Sequence, residues 1–227
     1  MQPMHPTTLE VTALRKSFRQ GETEITVIHD LALSVGRGET LAILGKSGSG
    51  KSTLLSLLSG LDSPDAGEVR LEGVDIAHLP EEALLKIRNE KIGIVFQQFH
   101  LFPELTALEN AAIPLELRGD PEAEKKARAA LESVGLAHRL DHTPDRLSGG
   151  EKQRVAIARA FVSEPALLLA DEPSGNLDAK TGEEVMDLLF QRVRERGMTL
   201  ILVTHDEALA ARCERRVNLE RGAIVSS

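Results

Sequence analysis

An α/β fold with a parallel sheet at its centre, a β-rich beginning and an all-helical insertion is what three features of this 227-residue sequence predict. The first is a strand, a glycine-rich loop and a helix in direct succession: Thr40 to Leu44, then Gly45 to Ser52, then Thr53 to Leu58. The second is a set of short apolar runs, Ile92 to Phe96, Ala166 to Ala170 and Leu200 to Thr204, each delivering polar residues at its carboxyl end. Continuous apolar runs of that length are the pattern of strands covered on both faces. The third is the segment 99–163, where helical periodicity replaces strand-like runs between two of these strands.

The loop carries the most specific pattern. Gly45-Lys46-Ser47-Gly48-Ser49-Gly50-Lys51-Ser52 fits G-x-x-x-x-G-K-[ST]. Its glycines let successive backbone N–H groups turn inward on a phosphate where a helix begins. Lys51 would reach the β- and γ-phosphates, Ser52 would offer its hydroxyl to Mg²⁺, and Thr53 opens the helix among the binding residues. A flexible Gly/Ser turn with a surface lysine is the plainer alternative, and it gives no reason for a position between two buried elements.

Before this loop, alternation through Leu9, Val11 and Leu14 breaks at Arg19-Gln20-Gly21-Glu22, resumes at Ile25 to Ile28, and is followed by a further strand across Leu31, Leu33 and Val35. Residues 1–8, with two prolines, read as a loose tail. Phe18 is the one aromatic residue upstream of the loop in a chain without Trp or Tyr. It is either a core residue or the ring on which an adenine base stacks. After the first helix, Glu68 to Val74 reads as a short hairpin bending at Gly73, and Pro80 opens a helix from Glu81 to Asn89.

Gln97 and Gln98 stand at the carboxyl end of the strand through Ile92, where ligand groups collect in parallel sheets. Gln97 can place its amide oxygen on a metal ion or a water; the bland reading is a polar strand terminus. Helical patterns follow at Thr106–Leu117, Pro121–Ser133 and Glu151–Val162, joined by Gly119-Asp120 and by the loop 136–147. The stretch Leu101 to Pro114 is apolar around prolines and suits a partner helix. His138 and His142 have a metal-like spacing, but Pro144 and the lack of a nearby cysteine argue against a site.

Leu147-Ser148-Gly149-Gly150-Glu151 stands at a helix N-terminus. Ser148 supplies a cap, and Gly149 and Gly150 permit close approach of an anion to the positive end of the helix. Two anion-reading helix ends in one chain thus require explanation. The buried run through Ala170 ends in Asp171-Glu172-Pro173, and two acids there suit a cation. Asp171 is the expected Mg²⁺ partner, and Glu172 the group that polarises the water attacking a γ-phosphate. Asp178 caps the helix Thr181–Arg196, which Gly197 ends. His205, delivered by the strand Leu200–Thr204, either donates to the γ-phosphate or is structural. Val217 to Val225 reads as two short strands around Gly222.

Composition narrows the class. The net charge of -8 argues against a generic nucleic-acid binder, and the single Cys213 excludes an intrachain disulfide. No apolar run is long enough to cross a bilayer and the N-terminus lacks a signal-peptide core, so a soluble, cytoplasmic chain is expected.

Taken in order, these motifs resemble the ATP-binding subunit of an ABC transporter, from about Leu9 to Val225. The most specific parts are Leu147 to Glu151 and the joint order of phosphate loop, Gln97, Asp171-Glu172, Asp178 and His205. Val95 to Phe99, Leu105 to Asn110 and Asp171 to Asp178 are most similar to the lipoprotein-release and macrolide-export group (LolD, MacB and YbbA types). Phe18 stands where that family usually has Tyr, and Ser174 where Thr is commoner in the group.

The resemblance implies a P-loop NTPase core with an antiparallel β subdomain (1–98 and 164–227) and a helical subdomain (99–163). It implies a head-to-tail homodimer in which ATP lies between the phosphate loop of one copy and Ser148, Gly149 and Gly150 of the other. It also implies Mg²⁺-dependent hydrolysis with Lys51, Gln97, Asp171, Glu172 and His205 around the γ-phosphate. Last, it implies a membrane-spanning permease gripped by the Gln97 loop and the helical insertion, which holds the chain at the cytoplasmic face of the membrane. The rival readings are an ABC-type ATPase acting on nucleic acid or ribosomes, disfavoured by the absence of a coiled-coil insertion or second cassette, and a module that holds nucleotide without hydrolysing it.

Overall fold

The structure is a computed structural model that describes residues 6–21 and 23–225. In chain order its elements are β1 (Thr7–Gln20), β2 (Thr23–Gly36), β3 (Thr40–Leu44), α1 (Lys51–Leu58), β4 (Ala66–Leu71), β5 (Val74–Asp75), α2 (Glu81–Lys91), β6 (Ile92–Val95), α3 (Ala107–Glu116), α4 (Ala123–Ser133), α5 (Gly149–Phe161), β7 (Leu167–Asp171), α6 (Ala179–Arg196), β8 (Thr199–Thr204), α7 (Glu207–Ala210), β9 (Arg215–Glu220) and β10 (Ala223–Val225). They fall into two units, one ending at Arg88 and resuming at Met198, the other running from Asn89 to Gly197.

The first unit holds two sheets. β1 and β2 pair antiparallel, Leu9 opposite Val35 and Phe18 opposite Ile25, and β4 and β5 extend that sheet beyond β1. Leu9, Val11, Leu14, Ile28, Leu31, Leu33 and Val35 are buried from its one covered face, as alternation in an antiparallel sheet dictates. The two segments expected as separate strands, Ile25–Ile28 and Leu31–Val35, form one strand. Between the pairs Leu14↔Leu31 and Lys16↔Ile28, three steps on β2 match two on β1. Asp30 takes up the extra residue at a left-handed φ of 44°, so the apolar side chains return to the covered face after a change of phase.

A second correction concerns the tail. Thr7 and Thr8 belong to β1, because Thr8 is buried and its hydroxyl meets Thr199 Oγ at 3.1 Å; residues 1–5 of the expected tail, and Glu22 of the connection, lie outside the described residues.

In the other sheet of this unit, β3 lies parallel between β8 and β9, and β10 runs antiparallel on the outside of β9. Leu41, Ala42 and Ile43 are fully buried, as are Leu200, Ile201 and Leu202. A strand paired on both sides and covered on both faces holds its last residue firmly, and that rigidity fixes where the loop after Leu44 begins.

In the second unit, β6 and β7 pair parallel, Ile92 opposite Leu167 and Val95 opposite Ala170. α5 is its hub, with eight buried positions from Gly150 to Phe161 and packing against α3, α4, α6 and β6. α3 opens with a full capping box: Thr106 accepts from Glu109 N, and Thr106 N donates to Glu109 Oε2 at 2.7 Å. α6 ends at Gly197, whose φ of 58° is the left-handed closure the sequence assigns to it.

Candidate functional site

The phosphate loop is built from backbone conformation. Gly48 and Gly50 have φ of 78° and 102°, a region that L side chains rarely adopt. Gly50 stands at the N-cap of α1 without any side-chain cap, so the first N–H groups of the helix face outward to a ligand. A Cβ at Gly45 would come 2.5 Å from Ser49 Oγ, which is buried and has no hydrogen-bond partner among the described residues. A buried, unsatisfied hydroxyl is costly, and a phosphate-sized acceptor in the loop would satisfy it. Lys51, only 7% exposed, donates from Nζ to Gly45 O at 2.7 Å and Lys46 O at 3.1 Å. Its ammonium therefore lies along the inside of the loop.

His205 follows β8 directly and, with Gly45, Lys46, Ser47, Gly48 and Glu207, lines an open cleft of about 620 Å³. Ser52 is exposed and Thr53 half-buried in the first turn of α1. Phe18 is 43% exposed, so the core reading of this ring is not what the structure has, and Lys16 Nζ lies 5.2 Å from its centroid.

In the second unit the candidate residues sit on the ends of β6 and β7 and on the head of α5. Gln97 is tied to Asn176 in both directions: Asn176 Nδ2 donates to Gln97 O at 3.0 Å, and Gln97 Nε2 faces Asn176 Oδ1 at 3.4 Å. Gly175 makes this approach possible, since a Cβ there would lie 2.6 Å from Gln97 Nε2. The chain beyond Gln97 is pinned in an unusual conformation. Phe99 and His100 both have positive φ, and Arg159 donates to their carbonyls at 2.8 and 2.6 Å. Burial pushes the Arg159 guanidinium below its ordinary pKa. Asn110, fully buried, bonds the backbone of Phe102, Leu105 and Thr106.

Asp171 ends β7 and Glu172 follows at a left-handed φ of 43°, both half-buried. Strain of this kind persists where surrounding structure imposes it and clusters at functional positions. Ser148 is exposed at the N-cap of α5 and accepts from Glu151 N, while its own N–H donates to Glu151 Oε2 at 2.8 Å. That backbone bond, with the Arg139 guanidinium 2.8 Å away, holds the Glu151 carboxyl down at about 2. Asp178 accepts from Thr181 N at 3.1 Å, and hydrogen bonding by Thr181, first from its side chain and then from this N–H, lowers the Asp178 carboxyl below the usual range.

The residues singled out from the sequence thus form two groups. Phe18, Gly45 to Thr53 and His205 belong to the first unit; Gln97, Ser148 to Gly150, Asp171, Glu172 and Asp178 belong to the second. The sequence reading gives no role to Gln153, Asn176 or Arg159. Gln153 carries a legible signal, because a polar residue at the 150, 153, 157 spacing falls on the buried stripe of its helix.

Ser52 in the first unit, and Asp171 and the Gln97 amide in the second, each carry a hard oxygen donor of the kind Mg²⁺ takes. Among the described residues no group of three His, Cys, Asp or Glu side chains could hold a metal ion.

A family model described as ABC transporter matches residues 28–175. The chain belongs to the ABC transporter family. It is 53% identical over 218 residues to an ABC transporter ATP-binding protein of Escherichia coli K12 named YbbA and described as uncharacterised, covering 95% of this chain and 96% of that one. It is 52% identical over 220 residues to the lipoprotein-releasing system ATP-binding protein LolD of Geobacter metallireducens, covering 96% and 98%. A dimeric, post-hydrolysis structure of the ATP-binding cassette MJ0796 bound to ADP and Pi superimposes with a TM-score of 0.89 at 41% identity, over 96% of this chain and 97% of that one. The ABC chain described here is accordingly an ATPase subunit of a transporter. No helix of the described residues is long and apolar enough to cross a membrane.

Proposed function

We propose that this chain is a Mg²⁺-dependent ATPase of the lipoprotein- or lipid-extracting kind, working as a head-to-tail pair of copies on the cytoplasmic face of a membrane-spanning permease. The observation that carries the reading is the phosphate loop: left-handed glycines, an uncapped helix start, a buried unsatisfied Ser49 hydroxyl and a lysine laid along the inside. These features suit a bound phosphate group. The relatives named for lipoprotein release support the transport class, and the dimeric cassette structures support the pairing of copies.

In this mechanism the backbone N–H groups of Gly48 to Lys51 bind the β-phosphate, and Lys51 moves from its carbonyl partners to the β- and γ-oxygens. The ring of Phe18 stacks on the adenine. Bound Mg²⁺ would be held by Ser52, Asp171 and Gln97, where it would supply positive charge against the phosphates. Glu172 accepts a proton from the attacking water, and His205 donates a hydrogen bond to the γ-phosphate. Ser148, Gly149 and Gly150 read the triphosphate held by the other copy, with Asp178 at the contact between copies. Phe102 and Leu117, large apolar side chains 53% and 77% exposed in the helical segment 99–163, belong to the surface offered to the permease.

The test is purification of the tagged chain from detergent-solubilised membranes. The expected result is co-purification of one membrane-spanning subunit and an ATPase rate that requires Mg²⁺ and responds to that subunit. Salt-sensitive binding to DNA or RNA with no membrane partner would overturn the transport reading.

A further inference from the structure

Gln153 occupies the second turn of α5 and is fully buried. Its carboxamide nitrogen has two hydrogens, and each meets a backbone carbonyl: Phe96 O at 3.2 Å and Pro173 O at 2.7 Å. Both partners are acceptors, so the orientation of the amide is fixed by chemistry, with nitrogen toward them and oxygen away. The oxygen is buried and has no hydrogen-bond partner among the described residues. An amide kept fully buried with half its capacity unused is unfavourable for stability. A Met of similar length would fill the same space without that penalty.

The position of the two carbonyls explains the arrangement. Phe96 immediately precedes Gln97, and Pro173 immediately follows Glu172. The same helix begins with Ser148 at its N-cap. We propose that Gln153 is a positioning residue for hydrolysis, holding the Gln97 segment and the Glu172 turn at one fixed separation and tying both to the helix that carries Ser148. The inference rests on the reading that Glu172 serves hydrolysis. The Gln97–Asn176 pair forms a second, exposed tie between the same two segments, so the buried amide acts on a cluster already braced from outside. Glu172 stands at a left-handed φ, and a backbone in that conformation returns to commoner angles unless a neighbour holds it. Pro173 O is the nearest carbonyl beyond that strain, and Gln153 is the group that grips it.

The experiment compares Gln153→Met and Gln153→Asn with the parent full chain. Turnover and KM for ATP are measured with and without the membrane subunit, and each rate is normalised to the fraction that binds nucleotide. The expected result is kcat lowered by up to about 10²-fold, the scale of a misplacement near 1 Å, with KM within about threefold because the phosphate loop is untouched. Gln97→Ala is then combined with Gln153→Met, and the double variant is expected to lose less than the product of the two single losses, because both act through the same segment.

A normalised kcat equal to the parent in Gln153→Met would overturn the proposal, as would fully multiplicative losses. Failure of both variants to fold would also overturn it, since Gln153 would then hold the unit together rather than aim its loops. Glu172→Gln serves as control. If it keeps parental turnover, the reading of Glu172 fails; if it is inactive while Gln153→Met is not impaired, the inference about Gln153 alone fails.

Discussion

The two units solve different problems with different materials. In the first, the loop we propose as the nucleotide cradle is almost wholly backbone: a strand locked between two neighbours, two glycines at positive φ, and the N–H groups of a helix start. In the second, the polar residues around the ends of β6 and β7 are held by side-chain amides and a guanidinium, through Gln153, Asn176, Asn110 and Arg159. Backbone geometry gives a rigid receptor for a constant ligand. The side-chain ties instead brace loop backbone from neighbouring helices and loops, so the groups at the strand ends are aimed by contacts rather than by their own backbone geometry.

Substitutions can break or sharpen that contrast. The largest effect is expected for Glu172→Gln, which leaves the cradle intact. ATPase rate should fall on the order of 10²–10⁴-fold for loss of a general base, with binding of a fluorescent ATP analogue unchanged, and an ATP-trapped dimer should accumulate in gel filtration.

Next is an acid titration of stability in the second unit. Glu151 has a folded pKa of about 2, depressed from an ordinary 4.5. Its contribution is therefore complete above about pH 4.5 and is lost as pH falls from there toward 2. Its size is at most about 3 kcal/mol. Denaturation midpoints measured across that window should show a steeper acid limb in the parent than in Glu151→Gln.

In the first unit, Phe18→Ala should raise the KM for ATP by about 5- to 150-fold, the equivalent of 1–3 kcal/mol of stacking, with kcat little changed. An unaltered KM would remove the ring from the site. The smallest effect is Gly197→Ala, where open space meets a φ of 58°. About 1 kcal/mol of stability should be lost to backbone strain alone, seen as a lower midpoint in urea with activity per folded molecule preserved.

Legibility differs between the units for the same physical reason. The phosphate loop reads directly from sequence because glycine adopts the conformations of Gly48 and Gly50 far more readily than any other residue, so the backbone requirement is written in residue types. The N-cap at Ser148 and the helix end at Gly197 are likewise legible in residue type, whereas the reciprocal bond from Glu151 is not. The fusion of Ile25–Ile28 with Leu31–Val35 into β2 is not, because the bulge at Asp30 places a non-glycine residue at positive φ, and nothing in the residue type announces it. The roles of Gln153, Asn176 and Arg159 depend on carbonyls about 20, 60 or 80 positions away. A contact to backbone leaves no trace in the identity of its acceptor, so such ties become visible only when the fold is in hand.

The left-handed backbone at Glu172 has an evolutionary corollary. Glycine would occupy that position with on the order of 1 kcal/mol less strain, yet it would bring no carboxylate. If Glu172 serves hydrolysis as proposed, selection for thermal robustness alone should drift toward Glu172→Gly and yield a sturdier, silent pump motor, whereas selection for transport keeps the acid and accepts a weaker fold at that point.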